Sequence, residues 1–314
     1  MGKGLVIRST GSWYSVKTDS GETIDCRIKG KLRMKGVRTT NPVVVGDRVE
    51  FQIQHDETTK DGVAGIIFAI ETRSNYIIRK SSNLSKESQI IAANIDCAFL
   101  VVTVNYPLTL PGFIDRYLAS ARAYRIPACL IFNKIDIYNQ DDYHKLEEYL
   151  QTYESIGYKC YQVSALRNFN LDGLREDIKG KINLFSGLSG VGKSSILNCL
   201  EPGLRLKTEL ISEYHLQGKH TTTFAEMFEL KDGGYVIDTP GIRGFGVIDM
   251  EKEEISHYFP EIFELLKLCR YKNCTHTHEP GCAVKAALQE GKIPITRYES
   301  YLSLIGEDDS KYRN

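Results

Sequence analysis

The feature that most constrains this chain is INLFSGLSGVGKSSILNCL, residues 182–200. A short apolar run leads into a glycine-rich loop, and the loop opens a helix-like segment. A strand, a G-x-x-x-x-G-K-S loop and a helix in that order form the phosphate-binding corner of an α/β sheet. Gly187 and Gly192 let backbone N–H groups close around phosphate oxygens, with Leu188, Ser189, Gly190 and Val191 supplying the loop between them. The helix beginning near Lys193 adds its positive end. Lys193 reaches the β- and γ-phosphates, and the Ser194 hydroxyl ligates Mg²⁺, with Ser195 next in the same turn.

Such a loop takes ATP or GTP alike. NKID, Asn133 to Asp136, decides for guanine. The base offers N1–H and N2–H₂ as adjacent donors, and the Asp136 carboxylate accepts both by charge-assisted bonds. Asn133 reaches the N7 and O6 side and braces neighbouring loops, Lys134 lays its stem over the ring, and Ile135 completes the motif. Ser164 and Ala165, in SAL, can supply a backbone N–H to O6.

The order is unusual, because in ordinary GTPases the phosphate loop comes first. Strand ends resolve this. ACLIF leads into NKID, YKCYQV into SAL, INLFS into the phosphate loop, and GYVI into DTPG, Asp238 to Gly241. In open α/β sheets ligands bind beyond the carboxyl ends of the strands, so both motifs count as real and the order is a circular permutation. Asp238 supplies the second carboxylate on the Mg²⁺ side, and the Gly241 N–H faces the γ-phosphate. GKHTTT, Gly218 to Thr223, is the first switch. One of Thr221, Thr222 and Thr223 binds Mg²⁺, and which one stays open.

After DTPG, GTPases such as Ras carry a water-orienting Gln. Here Ile242 stands there and cannot hydrogen-bond water. His220 is the candidate to position it, with Arg243 a weaker candidate for transition-state charge.

Around this core the texture changes twice. Residues 1–72 read as five short strands separated by turns such as Asp19-Ser20-Gly21. This suits a small barrel, an OB-fold in the first place with an SH3-like barrel as the alternative. Residues 73–93 are polar and Ser-rich and read as a linker. Alternating strands and helices then run to residue 248, with a hairpin at Asp232-Gly233-Gly234. Residues 249–314 read as helical and charged. The expected class is multidomain: an N-terminal β-barrel, a central α/β P-loop GTPase domain (73–248) with permuted motif order, and a mainly helical zinc-binding domain.

In that last segment CRYKNCTHTHEPGC contains Cys269-x₄-Cys274-x-His276-x₅-Cys282. Three thiolates and an imidazole make a closed tetrahedral Zn²⁺ site of structural type. His278 competes as the fourth ligand, and reduced, unligated cysteines are the bland alternative. The other five cysteines are scattered and read as buried thiols.

Lys29, Lys31, Arg33, Lys35 and Arg38 form an acid-free basic run on the barrel. This is a candidate nucleic-acid surface, with Trp13 and Tyr14 as stacking groups. The formal net charge is zero, so any nucleic acid must meet a local patch. No signal-like or membrane-length apolar run occurs, which makes the cytoplasm the expected location and a membrane an unexpected partner. Nothing in the pattern demands more than a monomer.

VGDRVEF, NYIIRKSS, IIAANID, NKID, GLSGVGKSS, GKHTTT, DTPGIRGFG, FPE, the Cys/His cluster and RYESY closely resemble, in combination and in order, the RsgA (YjeQ) family of circularly permuted GTPases. The resemblance runs over nearly the whole chain. It implies an OB-fold, a permuted GTPase domain and a zinc domain. It implies zinc on Cys269, Cys274, His276 and Cys282, and a switch histidine at His220. It also implies GTP hydrolysis to GDP stimulated by the small ribosomal subunit, in late maturation of that subunit and in contact with its rRNA. Two other readings stay beside it. One is an RNA-binding module that keeps GTP as a structural ligand, and the other is an ATP-dependent kinase or transport ATPase.

Overall fold

The computed structural model describes residues 1–28, 42–55, 63–80, 88–204, 226–238, 252 and 254–306. The elements run in chain order as β1 (Gly2–Ser9), β2 (Tyr14–Thr18), β3 (Thr23–Ile28), β4 (Arg48–His55), β5 (Val63–Ile70), β6 (Tyr76–Lys80) and β7 (Ser88–Ala93). Then follow β8 (Cys97–Val102), α1 (Pro111–Ala123), β9 (Ala128–Phe132), α2 (Gln140–Ser155), β10 (Lys159–Gln162), α3 (Asp172–Ile178), β11 (Ile182–Ser186) and α4 (Lys193–Leu200). The chain ends with β12 (Glu226–Glu229), β13 (Tyr235–Asp238), α5 (Pro260–Leu266), α6 (Ala283–Gln289) and α7 (Ile295–Gly306). These elements fall into two compact units. Met1–Ala98, Asp172–Ser186 and Ser194–Ile242 make the first, and Phe99–Leu171, Gly187–Lys193 and Arg243–Asn314 make the second.

In the first unit β1 to β5 form a closed barrel in the order β1-β2-β3-β5-β4, with β4 returning to β1. The β3–β5 pair is parallel and the other pairs are antiparallel. This is an OB-like barrel, and the SH3-like alternative falls. Alternate residues point inward as the two-residue period of a strand requires. Val6, Tyr14, Val16, Cys26, Val49, Phe51 and Ile67 fill the interior. Each fully buried side chain of this size contributes about 1.5–3 kcal/mol. Tyr14, expected as a stacking surface, is a core residue at 1% exposure and cannot meet a base. Trp13 is half-buried, with the Arg27 guanidinium 3.8 Å from its ring centre. The basic run from Lys29 to Arg38 lies outside the described residues.

Residues 73–93 are not the linker expected from their polarity, because β6 and β7 pair antiparallel within them. They also join the barrel through side chains. The Asp47 carboxylate accepts from Arg73 Nε at 2.6 Å, Arg73 Nη2 at 2.6 Å and the Val44 N–H at 2.8 Å. Asn94 Nδ2 donates to the Gly46 carbonyl at 2.8 Å. Asn75 exchanges two bonds of 2.8 Å with the backbone of Ile95. VGDRVEF, residues 75–80 of NYIIRKSS, and IIAANID are therefore parts of one joint.

Further along this unit, β11 pairs parallel with β13, and β12 pairs antiparallel with β13. The expected hairpin is formed, and its turn places Gly233 at φ +85° and Gly234 at φ +92°, where L-residues are strained. β12 also touches β1, with Arg8 opposite Glu226.

In the second unit β10 lies parallel to β9, and β9 lies beside β8. All six residues of β8 are buried, which is why its sequence is a continuous apolar run instead of an alternating one. α2 is started by a reciprocal capping pair, in which the Asp142 N–H donates to Asn139 Oδ1 and the Asn139 N–H to Asp142 Oδ2. α5, α6 and α7 enclose a core of Ile255, Phe259, Ile262, Val284, Ala287, Tyr298, Tyr301 and Leu304, to which α1 contributes Ala119. At its edge lies Arg297 of α7, fully buried. It donates to Asp115 of α1 at 2.7 Å and to Glu261 of α5 at 2.7 Å, while the Tyr153 hydroxyl donates to Asp115 at 3.0 Å. Burial lowers the Arg297 pKa, but the two carboxylates outweigh this and the net shift is upward. The arginine of RYESY is thus a structural tie. Among the described residues no helix is long and apolar enough to cross a membrane.

Candidate nucleotide and metal sites

Each described motif begins at a carboxyl strand end. Asn133 follows β9, Ser164 and Ala165 follow β10, and Gly187 follows β11, while Asp238 is the last residue of β13. Lys193, Ser194 and Ser195 open α4. His220, Thr221, Thr222, Thr223, Gly241, Ile242 and Arg243 lie outside the described residues.

The loop from Gly187 to Gly192 needs its glycines. Gly187 has φ +147°, and a Cβ there would lie 2.4 Å from the Val101 carbonyl oxygen. Gly192 has φ +96°, and a Cβ there would lie 2.2 Å from Asn133 Nδ2. Lys193 Nζ donates to the carbonyls of Gly187 and Leu188, both at 2.8 Å, so the lysine head lies over its own loop.

Asn133 is the central brace, at 1% exposure. Its Nδ2 donates to the Val191 carbonyl at 2.8 Å, its Oδ1 accepts from the Ala165 N–H at 3.1 Å, and its own N–H donates to Val102 at 3.0 Å. One side chain thereby joins the NKID, SAL and phosphate-loop segments. Lys134 sits in the left-handed region at φ +67°, and its Nζ donates to the Tyr106 carbonyl at 2.8 Å. Asp136 receives a short hydrogen bond from the Ser164 hydroxyl, which orients the carboxylate. Tyr138, which no motif names, donates to the Asn133 carbonyl at 2.8 Å and accepts from the Val104 N–H at 3.1 Å. Burial pushes its hydroxyl up to about 12, so it stays protonated and keeps donating.

SAL departs from the expectation in one respect. The Ser164 N–H donates to Phe169 at 3.2 Å, and the Ala165 N–H donates to Asn133 Oδ1. Both are engaged within the protein, so a bond from Ala165 to a guanine O6 has to share or replace the one to Asn133.

In the second cluster the ligand atoms of Cys269, Cys274, His276 and Cys282 all lie within 4.8 Å of one another. Tetrahedral Zn²⁺ with Zn–S near 2.3 Å sets its sulfurs about 3.8 Å apart, so the spacing fits. His276 Nδ1 faces the thiols, 3.4 Å from Cys282 Sγ and 3.6 Å from Cys269 Sγ. His278, the competing ligand, is exposed, and its Nδ1 is bonded to the Thr277 hydroxyl at 2.9 Å. Burial pushes the Cys274 thiol up to about 12 and lowers the His276 pKa. Burial keeps the Cys274 thiol protonated, and a bound cation would draw off that proton. Cys269, Cys274, His276 and Cys282 form a set that could hold a metal ion.

Sequence reasoning overlooked Glu279. Burial works to raise its pKa, but hydrogen bonds from Thr275 outweigh this and hold it at about 2. The signal available was a Glu between the second and last cluster cysteines.

A family model described as the RsgA N-terminal domain matches residues 3–62, and one described as the RsgA GTPase matches residues 70–248. The chain is 56% identical over 312 residues to a Bacteroides fragilis protein named small ribosomal subunit biogenesis GTPase RsgA, covering 99% of each chain. It belongs to the RsgA GTPase family. A Flavobacterium johnsoniae RsgA of the same name is 52% identical over 99% of this chain and 94% of its own. Among solved structures, YjeQ from Thermotoga maritima superposes with a TM-score of 0.78 at 34% identity, over 98% of this chain and 99% of that one. YloQ, described as a circularly permuted GTPase, gives 0.75 at 28% identity over 99% and 96%. The description of YloQ agrees with the permuted motif order read from this sequence.

Proposed function

We propose that this RsgA-family chain binds the small ribosomal subunit and acts in its late maturation, hydrolysing GTP to GDP and phosphate faster on the subunit than alone. The observation that carries the reading is the single brace at Asn133, which holds the guanine-reading and phosphate-binding loops of a permuted GTPase together. In this reading Asp136 accepts the N1–H and N2–H₂ of guanine, held in place by Ser164. Lys134 covers the ring, and the N–H groups of residues 187–192 take the phosphates. Lys193 leaves the carbonyls of Gly187 and Leu188 for the β- and γ-phosphates. Ser194, Asp238 and one of Thr221, Thr222 and Thr223 hold Mg²⁺, which when bound neutralises charge developing on the transferred phosphoryl group. The Gly241 N–H faces the γ-phosphate, and His220 positions water in place of the missing Gln.

Domain limits of 1–72, 73–248 and 249–314 belong to the same reading. The barrel meets rRNA, the cluster of Cys269, Cys274, His276 and Cys282 holds one structural Zn²⁺, and the protein works as a cytoplasmic monomer. The test is GTP turnover by the purified protein with and without isolated small subunits, with His220→Ala alongside. Unassisted GTPases turn over on the order of 10⁻⁴ s⁻¹, and partners raise this by roughly 10³–10⁵. A large rise that His220→Ala abolishes is expected. No rise would leave the nucleotide-dependent binding module as the better reading.

A further inference from the structure

The loop between Cys274 and Cys282 is organised around one carboxylate. Glu279 Oε1 accepts from the Thr275 N–H at 2.7 Å and the Thr275 hydroxyl at 2.6 Å. Its Oε2 accepts from the Thr277 N–H at 3.1 Å and the His278 N–H at 3.2 Å. An ionised carboxylate has about four lone-pair sites, and here all are directed at the residues that flank His276. From the other side the Tyr301 hydroxyl donates to the Thr275 carbonyl at 2.7 Å, and the Tyr298 hydroxyl donates to the His276 carbonyl at 2.6 Å. Between these two sets of bonds His276 is held at φ +60°, in the left-handed region that a non-glycine residue adopts only when its surroundings impose it. That backbone conformation turns Nδ1 of His276 toward Cys269 and Cys282 and leaves His278 outside.

The geometry points to Glu279 as the positioning residue of the metal site: by binding the N–H groups on either side of His276, its carboxylate fixes the turn that makes His276, and not His278, the fourth ligand. Glu279 is not itself a ligand, because both of its oxygens are taken by N–H and O–H donors. Its effect is on the geometry of the ligand set. The carboxylate holds the turn in the form that presents His276 to the thiols, and partners outside the ligand set typically change metal affinity by about 10- to 100-fold. A carboxylate suits this place better than an amide. All four facing groups are donors, so the Nε2 of a glutamine would oppose N–H groups on one side of the loop.

This inference rests on the cluster being a zinc site, and the experiment separates the two. Full-length protein is stripped of metal and titrated with Zn²⁺ against a chromophoric chelator. Co²⁺ is then titrated in parallel, because its visible spectrum reports the donor set. The variants are Glu279→Ala, Glu279→Gln and His276→Ala, with binding of a fluorescent guanine nucleotide as the check that the rest of the chain is folded. Glu279→Ala is expected to weaken Zn²⁺ by about 10- to 100-fold and to give a Co²⁺ spectrum resembling that of His276→Ala. Glu279→Gln keeps the Thr275 side of the loop and is expected to fall between. Unchanged affinity and spectrum in both Glu279 variants would overturn the inference. So would weaker binding with a wild-type Co²⁺ spectrum, since His276 would then be oriented without the carboxylate. Failure of the wild type to bind either ion would remove the zinc reading itself, and this inference with it.

Discussion

The nucleotide site and the metal cluster are built on opposite principles. Around the phosphate loop the polar groups are already paired with one another: Asn133 with Val191 and Ala165, Ser164 with Asp136, Lys193 with Gly187 and Leu188. The site keeps its shape through its own hydrogen bonds. In the cluster the inward groups are three thiols and an imidazole edge, and burial raises the Cys274 thiol and lowers the His276 pKa. In the proposed reading that site is completed by a Zn²⁺ ion. In that reading one ligand turns over and the other stays.

The largest test of this contrast is to remove each ligand in turn. Chelation of metal is expected to release the segment from residue 254 to residue 306, read as loss of hydrogen-exchange protection in α5 to α7. Structural zinc in small modules is worth on the order of 10 kcal/mol. Removal of nucleotide is expected to leave protection in β8, β9 and β10 nearly intact. Equal effects of the two removals would break the comparison.

Next in size is Arg297→Met, which leaves Asp115 and Glu261 buried without their cation and is expected to cost about 3–5 kcal/mol in denaturant unfolding. Because the tie reaches from α7 to α1, the loss should appear in both elements. A third test concerns Asn133→Ala. It removes a bond from each of two buried backbone groups, and an unpaired buried group costs about 1–3 kcal/mol. This is the one nucleotide-site change expected to lower stability as well as affinity.

Acid probes the cluster more gently. Glu279 is held near 2 in the fold against an ordinary value of 4.5. A depressed carboxylate contributes stability that is fully present above its unfolded value and is lost as pH falls through its folded value. The loop from Thr275 to Pro280 should therefore loosen between pH 4.5 and about 2, followed by NMR of its amides, and Glu279→Gln should lack that step. The smallest stability change is expected for Asp136→Asn, which keeps an Oδ1 for the Ser164 bond, and a melting curve close to wild type should show it. Guanine affinity should nonetheless fall by at least about 100-fold. Two charge-assisted bonds of roughly 1.5–3 kcal/mol each are disturbed, which nucleotide titration would measure.

What could be read from residues alone follows the range over which each interaction acts. The phosphate loop, NKID, SAL and the hairpin at Asp232 to Gly234 were legible because each is a local backbone device whose requirements appear within a few positions. The barrel strands were legible from alternation, and the all-buried β8 from its unbroken apolar run. The stretch 73–93 misled because its pairing joins β6 to β7 and its anchoring bonds run to Asp47 and Gly46 of the barrel, where local polarity is uninformative. Tyr14 misled for a related reason, since an aromatic residue next to Trp13 looks alike whether it faces solvent or the barrel interior. The start of α2 lies between these cases. Asn139 and Asp142 have the spacing of a helix cap, but polar residues so spaced also occur in loops, and the reciprocal bonds are what place the boundary.

By itself, then, the sequence determined the kinds of site this protein has: a guanine-type P-loop in permuted order and a cysteine–histidine cluster, since spacing along the chain suffices to specify them. Only the tertiary structure decided which histidine faces the thiols, that Asn133 clamps three loops, and that Arg297 ties α7 to α1 through a partner 182 positions away. Those choices depend on which side chains share a buried volume, and such neighbours are set by the packing of distant elements, which no local pattern records.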